Sequence, residues 1–273
     1  MFGVRTNGYS DAVNGAPAPR PTEFVQSLER GLSVIRAFSA EHPRLTLSQV
    51  ADITGMTRAA ARRFLITLES LGYVASDGRF FSLRPSVLQL GYAYLSSFTL
   101  AEIAQEHLGA LAEELHESCS GSVLDGEDIV YIARASTNRI MTIGISVGAR
   151  LPAYCTSMGR VLLADFDEYE REKYLATADL QARTNRTITD VGTLHAELQV
   201  VAEQGWCLLD QELEDGIRSI AVPVHDATRT VVAAINVSTH ASRVQLPDLI
   251  AKYLPRLQAC SARIDADLAG RKL

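Results

Sequence analysis

The chain has 273 residues, 47% of them apolar, enough to fill two ordinary domain cores. No run of 18 apolar residues occurs, and residues 1–22 lack the charged start and apolar stretch of a secretory leader, so a membrane partner is set aside and a cytoplasmic protein is expected. The net charge of −6 conceals a division: residues 20–84 hold nine arginines against six acids, while 85–273 carry −9, an asymmetry that suits a basic nucleic-acid-binding module joined to an acidic domain.

Residues 1–22, rich in Gly, Ala, Asn and Pro, hold too few large apolar groups to offset the entropy of folding and are expected to be a disordered tail. From Phe24 to Phe38, Val25, Leu28, Leu32, Ile35 and Phe38 recur every three or four residues, the period of an amphipathic helix. Thr46 caps a second short helix over Leu47–Ile53. After Thr54-Gly55-Met56, Thr57 caps a third that runs to about Leu71, with Ala60, Phe64, Leu68 and Leu71 as its core face. Tyr73–Ser76 and Arg79–Leu83 are predicted strands around the turn dipeptide Asp77-Gly78. Three helices and a hairpin over 23–84 make a winged helix-turn-helix, in which Ala51 lets the helices approach and Gly55 supplies the turn. Arg58, Ala59, Arg62 and Arg63 lie off the core face near the start of the third helix, where they can reach guanine edges or phosphates in the major groove. Thr57 and, on the wing, Arg79 complete the candidate contacts to double-stranded operator DNA.

Pro85–Ser97 is predicted as a linker helix (85–98) that is apolar on more than one side. Tyr92, Tyr94 and Leu95 are the candidates for contact with a second copy, and Val87, Leu88 and Gly91 for packing within the subunit. The second domain, 99–273, opens with a helix over Leu100–His116. Strands follow at Ser120–Leu124, Ile129–Ala135 and Ile140–Ile145, then helices at Ser157–Asp165, Asp167–Ala176 and Thr193–Gln204. Further strands at Cys207–Leu209, Ser219–Val224 and Val231–Thr239 precede a terminal helix over Pro247–Leu268. Strands framed by helices give an α+β domain with an antiparallel sheet. Alternation puts Val232, Ala234, Asn236 and Ser238 on one face of their strand, and Ile217, Ser219 and Ala221 on one face of theirs. Small groups among a few hydrogen-bonding ones suggest a recess, and free N–H groups at the helix start near Ser157 favour an anion.

The run Phe24-Val25-Gln26-Ser27-Leu28-Glu29-Arg30-Gly31-Leu32, the turn at Gly55, and above all Gly216-Ile217-Arg218-Ser219-Ile220-Ala221-Val222-Pro223-Val224 with Ala234-Ile235-Asn236-Val237-Ser238 resemble the IclR family of transcriptional regulators. The segment from Ile145 to Arg160 is similar to the subgroup named for the PcaR, PcaU and PobR regulators, which control breakdown of protocatechuate, 4-hydroxybenzoate and β-ketoadipate. The resemblance implies a GAF-like effector domain, a homodimer or a tetramer of dimers, and one of those acids as effector. It also implies effector contacts at Ser219, Asn236 and Ser238, at Ile140 and Ile143 on the wall, and at Ser157 and Met158 at the helix start.

Asp210, Glu212, Glu214 and Asp215 bunch before Gly216 with no histidine at ligand spacing, and are expected to form a solvated acidic loop. Cys119, Cys155, Cys207 and Cys260 form no CxxC and are expected to be buried free thiols. No nucleophile elbow, phosphate loop or dinucleotide fingerprint is legible, so neither catalysis nor a cofactor is expected. A second function remains open on the residues alone: a metabolite-binding protein or enzyme whose winged helix serves only assembly.

Overall fold

A computed structural model describes residues 23–39, 41–90, 99–136 and 145–270. The chain divides into two units, 1–96 and 97–273. In the first, α1 (Gln26–Arg36), α2 (Leu47–Thr54) and α3 (Arg58–Ser70) surround Val34, Leu45, Val50 and Leu65. The Thr46 side chain and Gln49 satisfy each other's backbone N–H groups at the start of α2, and Gly55 ends that helix at φ +64°. A three-stranded antiparallel sheet of order β1-β3-β2 comprises β1 (Arg44–Thr46), β2 (Val74–Ser76) and β3 (Phe80–Leu83). The expected winged helix-turn-helix is present, with β1 as an addition that three residues carrying one inward apolar group could not signal.

The core face of α3 differs from the expected one. Ala61, Leu65 and Leu68 are buried, Ala60 and Phe64 only half so, and Leu71 is 63% exposed. The two candidate stripes are neighbours on the helix surface and both apolar, so periodicity alone could not choose between them. The linker begins as a 3₁₀ turn at Pro85–Leu88, in which Leu88 is exposed rather than packed. Gly91, Tyr92, Tyr94 and Leu95 lie outside the described residues.

The second unit is built on a six-stranded sheet of order β6-β5-β4-β9-β8-β7, antiparallel throughout. Its strands are β4 (Ser118–Asp125), β5 (Asp128–Ala135), β6 (Arg150–Pro152), β7 (Cys207–Asp210), β8 (Ile217–His225) and β9 (Val231–His240). The antiparallel α+β expectation holds. Of the strand expected at Ile140–Ile145, only Ile145 is described, and it is not in a strand; β6 follows instead. One face of the sheet presents Ile220, Val222, Ile235 and Val237 to α4 (Thr99–Leu115) and the terminal helix. The other presents Ala221, Ala234 and Tyr131 to α5 (Ser157–Ala164) and α7 (Val191–Gln204), with α6 (Glu168–Thr177) beside them. Alternation along β8 and β9 creates both faces from single strands: large β-branched groups one way, small and polar groups the other.

The expected terminal helix is not uniform. A turn at Leu246–Asp248 and a π-helical turn at Leu249–Tyr253 precede α8 (Leu254–Gly270). Pro255 supplies no N–H and its ring would collide with the carbonyl four residues back in a regular α-turn; the wider π-turn relieves both problems.

Candidate functional site

In the first unit, Thr57 accepts a hydrogen bond from the Ala60 N–H at 3.2 Å and so fixes where α3 begins. Counting from that cap, Arg58, Ala59, Arg62 and Arg63 fall in the first two turns of α3, and all four are exposed. Arg79 lies on the wing, in a turn tied by Asp77 Oδ1, which accepts from the N–H groups of Arg79 and Phe80 at 3.0 and 2.7 Å. Those two bonds, helped by Arg44, hold the Asp77 carboxyl below its ordinary range. Arg44, which the sequence did not single out, pairs with Asp77 and stands 5.1 Å from the centre of the Phe80 ring, to which Arg79 also comes within 5.2 Å. Only the pairing of β1 with β3 brings this second cation to the wing.

In the second unit, Ser157, Met158, Ser219, Asn236 and Ser238 line one recess between the sheet and the start of α5. Ile140 and Ile143 lie outside the described residues. Strand register explains the convergence: Ser118, Ser238 and Ser219 stand directly opposite one another across β4, β9 and β8, and Ser120 stands opposite Asn236 one row along. Ser118 and Ser120 also line the recess, and the alternating serines at 118, 120 and 122 were the sequence signal for them. The Asn236 Nδ2 donates to Ser238 Oγ at 3.1 Å. Asn236 Oδ1 and Ser157 Oγ are buried and have no hydrogen-bond partner among the described residues. Each such group left unpaired costs about 1–3 kcal/mol, so a polar ligand that met both would offset that cost. Thr156 caps α5 by accepting from Gly159 N–H at 3.2 Å, and the other N–H groups of that turn carry the positive end of the helix dipole.

Tyr131 and Arg134, which also line the recess, escaped the sequence reading. They are three apart on β5 and would point to opposite sides of a regular strand. A bulge opposite Gly121 and Ser122 inserts Ile132, so both reach the recess. Burial pushes the Tyr131 hydroxyl up to about 12, against the pull of the Arg134 guanidinium.

The acidic cluster is not a solvated loop. Glu212 is 8% exposed, lines the recess, and takes both terminal nitrogens of the wholly buried Arg160 at 3.0 and 2.5 Å, while Ile188 N–H donates to it at 3.2 Å. Arg160 Nε also donates to Tyr154 O at 2.8 Å. Asp210 pairs with Arg186 and Arg218. Burial first, then Asp215, raises the Glu214 carboxyl. These partners come from elements far apart in sequence, which a local count of charges does not see. Among the described residues no group of His, Cys, Asp and Glu is arranged to hold a metal. All four cysteines are buried and free, as expected.

With this geometry in view, a family model for the IclR helix-turn-helix domain matches residues 27–78, and one for the C-terminal domain of bacterial IclR transcriptional regulators matches 92–266. The chain is 51% identical over 249 residues to the Pca regulon regulatory protein of Pseudomonas putida, an alignment that covers 91% of this chain and 86% of that one. It is similar to a crystal structure of a Rhodococcus sp. RHA1 protein described as a transcriptional regulator, at 53% identity and a TM-score of 0.80, covering 90% of this chain and 98% of that one. The inducer-binding domain of a double mutant of PobR from Acinetobacter, in complex with 3-hydroxybenzoic acid, is similar at 34% identity and a TM-score of 0.58, covering 60% of this chain and 97% of that one.

Proposed function

The chain belongs to the IclR family of bacterial transcriptional regulators, which binds DNA through its helix-turn-helix domain and is not a family of enzymes, and from that premise we propose that its DNA affinity answers to a small carboxylic acid. The effector is an aromatic acid or dicarboxylate of the protocatechuate and β-ketoadipate route, and the genes under control belong to aromatic catabolism. Residues 23–84 bind operator, 85–98 link, and 99–273 receive the effector. Thr57, Arg58, Ala59, Arg62, Arg63 and Arg79 form the DNA face. Ser157, Met158, Ser219, Asn236 and Ser238 hold the acid, with Ile140 and Ile143 closing the wall.

The observation that carries the effector reading is the pair of buried polar atoms, Ser157 Oγ and Asn236 Oδ1, without a partner among the described residues, at a recess whose other lining is apolar side chains, hydroxyls, Arg134 and Glu212. The names of similar proteins support the chemical class: a regulator of the Pca regulon and a regulator domain with a hydroxybenzoic acid bound. Among the described residues no helix is long and apolar enough to cross a membrane, in keeping with work on promoter DNA in the cytoplasm. Calorimetric titration of the full chain with β-ketoadipate, protocatechuate and 4-hydroxybenzoate tests the reading: heat with one of them is expected, and heat with none refutes it. The protein acts as a homodimer through Tyr92, Tyr94 and Leu95, because two winged helices about a two-fold axis read a two-fold operator. Sedimentation as a dimer at micromolar concentration is expected, with Tyr94→Glu, Leu95→Glu monomeric; a monomeric wild type refutes it.

A further inference from the structure

We infer that Arg134 is the cation that anchors the effector's carboxylate, an inference that rests on the acid reading above. Two arginines bear on the recess in very different states, Arg134 as part of its lining and Arg160 behind it through Glu212. Arg160 is fully buried and its charge is matched by Glu212, whose carboxylate it takes with two nitrogens, so that pair presents no net charge to a ligand. Arg134 itself lines the recess, half-buried, and among the described residues its guanidinium has no hydrogen bond or ion pair, while its backbone is engaged by Gln105. The neighbouring segment 137–144, Thr-Asn-Arg-Ile-Met-Thr-Ile-Gly, contains no acid that could neutralise it. Among the described residues the charge balance of the recess is therefore one unmatched positive group.

Position adds a second reason. Arg134 stands opposite Ser120 on β4, and Ser120 stands opposite Asn236 on β9. Arg134 and Asn236 are thus two strand spacings apart on the same face, about 10 Å between backbones. A long arginine side chain at one end of that row and the orphan Asn236 Oδ1 at the other bracket a molecule of one small ring or short chain. Guanidinium and carboxylate are matched in shape as well as charge, because two parallel N–H groups can meet both oxygens. The bulge at Ile132 is what turns Arg134 to this face, so the irregularity in β5 has a binding consequence.

The test compares wild type, Arg134→Gln and Arg134→Lys as full-length proteins, titrated with 4-hydroxybenzoate, protocatechuate and β-ketoadipate, and with the neutral primary amide of each acid that binds. If Arg134 meets the carboxylate, Arg134→Gln weakens the acid by roughly tenfold to a hundredfold, the scale of a charge-assisted hydrogen bond. The preference of wild type for acid over amide then collapses in that variant, and Arg134→Lys recovers part of it. An acid-over-amide preference that survives Arg134→Gln overturns the anchor and leaves the acid reading standing. Equal weakening of acid and amide overturns it as well, because it marks a structural role. Binding of no acid by wild type overturns the acid reading, and the anchor with it.

Discussion

Gly159 sits at the third position of α5, where helix, cap and recess meet, and its substitution by alanine tests that junction. All eight residues of α5 are buried, and the 3₁₀ turn Ala153–Cys155 lies directly against its first turn. A Cβ on Gly159 would penetrate Ala153 O and Cα and come within 2.6 Å of Thr156 Oγ1. Ala153 cannot yield easily: it is fully buried and its N–H is bonded to Glu127 O at 3.0 Å. Overpacking against backbone costs about 1–3 kcal/mol, and displacing the Thr156 cap about 1 more, so a loss of roughly 2–4 kcal/mol is expected, or a fall in Tm of about 5–15 °C. Because Ser157 and Met158 ride on the same turn, effector affinity should fall too. Gly121→Ala is the control: its Cβ would meet Ile235 Cγ2 and Leu108 Cδ1 at 3.6 Å and Ala133 Cβ at 3.8 Å, ordinary contacts, and it should melt near wild type. Calorimetric melting of both variants decides the matter. Gly159→Ala melting within about 2 °C of wild type, or Gly121→Ala falling as far, would refute the packing argument.

Alanine at Arg58, Arg62 and Arg63 together should abolish specific operator binding and lower the salt slope by about one for each arginine that meets a phosphate, measured by fluorescence anisotropy across salt concentrations; normal binding would show that α3 does not enter the groove. Glu212→Gln leaves the buried Arg160 charge uncompensated and should cost about 3–5 kcal/mol in urea denaturation, whereas Arg160→Met with Glu212→Met should cost much less. An unchanged midpoint for the single variant would mean that the pair is dispensable. Burial pushes the thiols of Cys155 and Cys260 up to about 11 and of Cys207 to about 12, and Cys119 is raised further. The folded state keeps these groups neutral, while unfolded thiols ionise near pH ~8.5. Their contribution to stability is therefore complete below that pH and is lost as pH rises toward the folded values. Native protein should not react with a disulfide reagent at pH 8, and its denaturation midpoint should fall above pH 9; rapid native labelling would contradict the burial.

Most of the architecture was legible because its signals are local. Thr46, Gly55 and Thr57 are cap and turn residues whose chemistry acts within four positions, and each occupies the role its type predicts. The alternation that exposes Asn236 and Ser238 to the recess while Ile235 and Val237 enter the opposite core is likewise a property of one strand. What escaped depends on distant partners or on irregularity. Arg134 reaches the recess only through a bulge, Arg44 reaches the wing only through a three-residue strand, and Glu212 is buried only because Arg160, 52 positions earlier, arrives to meet it. On α3 the apolar arc is wide enough that its centre, at Ala61 and Leu65, is fixed by what packs against it.

The reading as a whole is tested most directly by titrating the full chain onto its own promoter DNA over a range of salt, alone and with each of the three acids. A regulator that meets DNA through arginines and answers to an acid should lose affinity linearly on a log–log salt plot, and one acid should shift that affinity at fixed salt by roughly 5- to 150-fold. Affinity that is indifferent to salt, or that none of the acids moves, would contradict it.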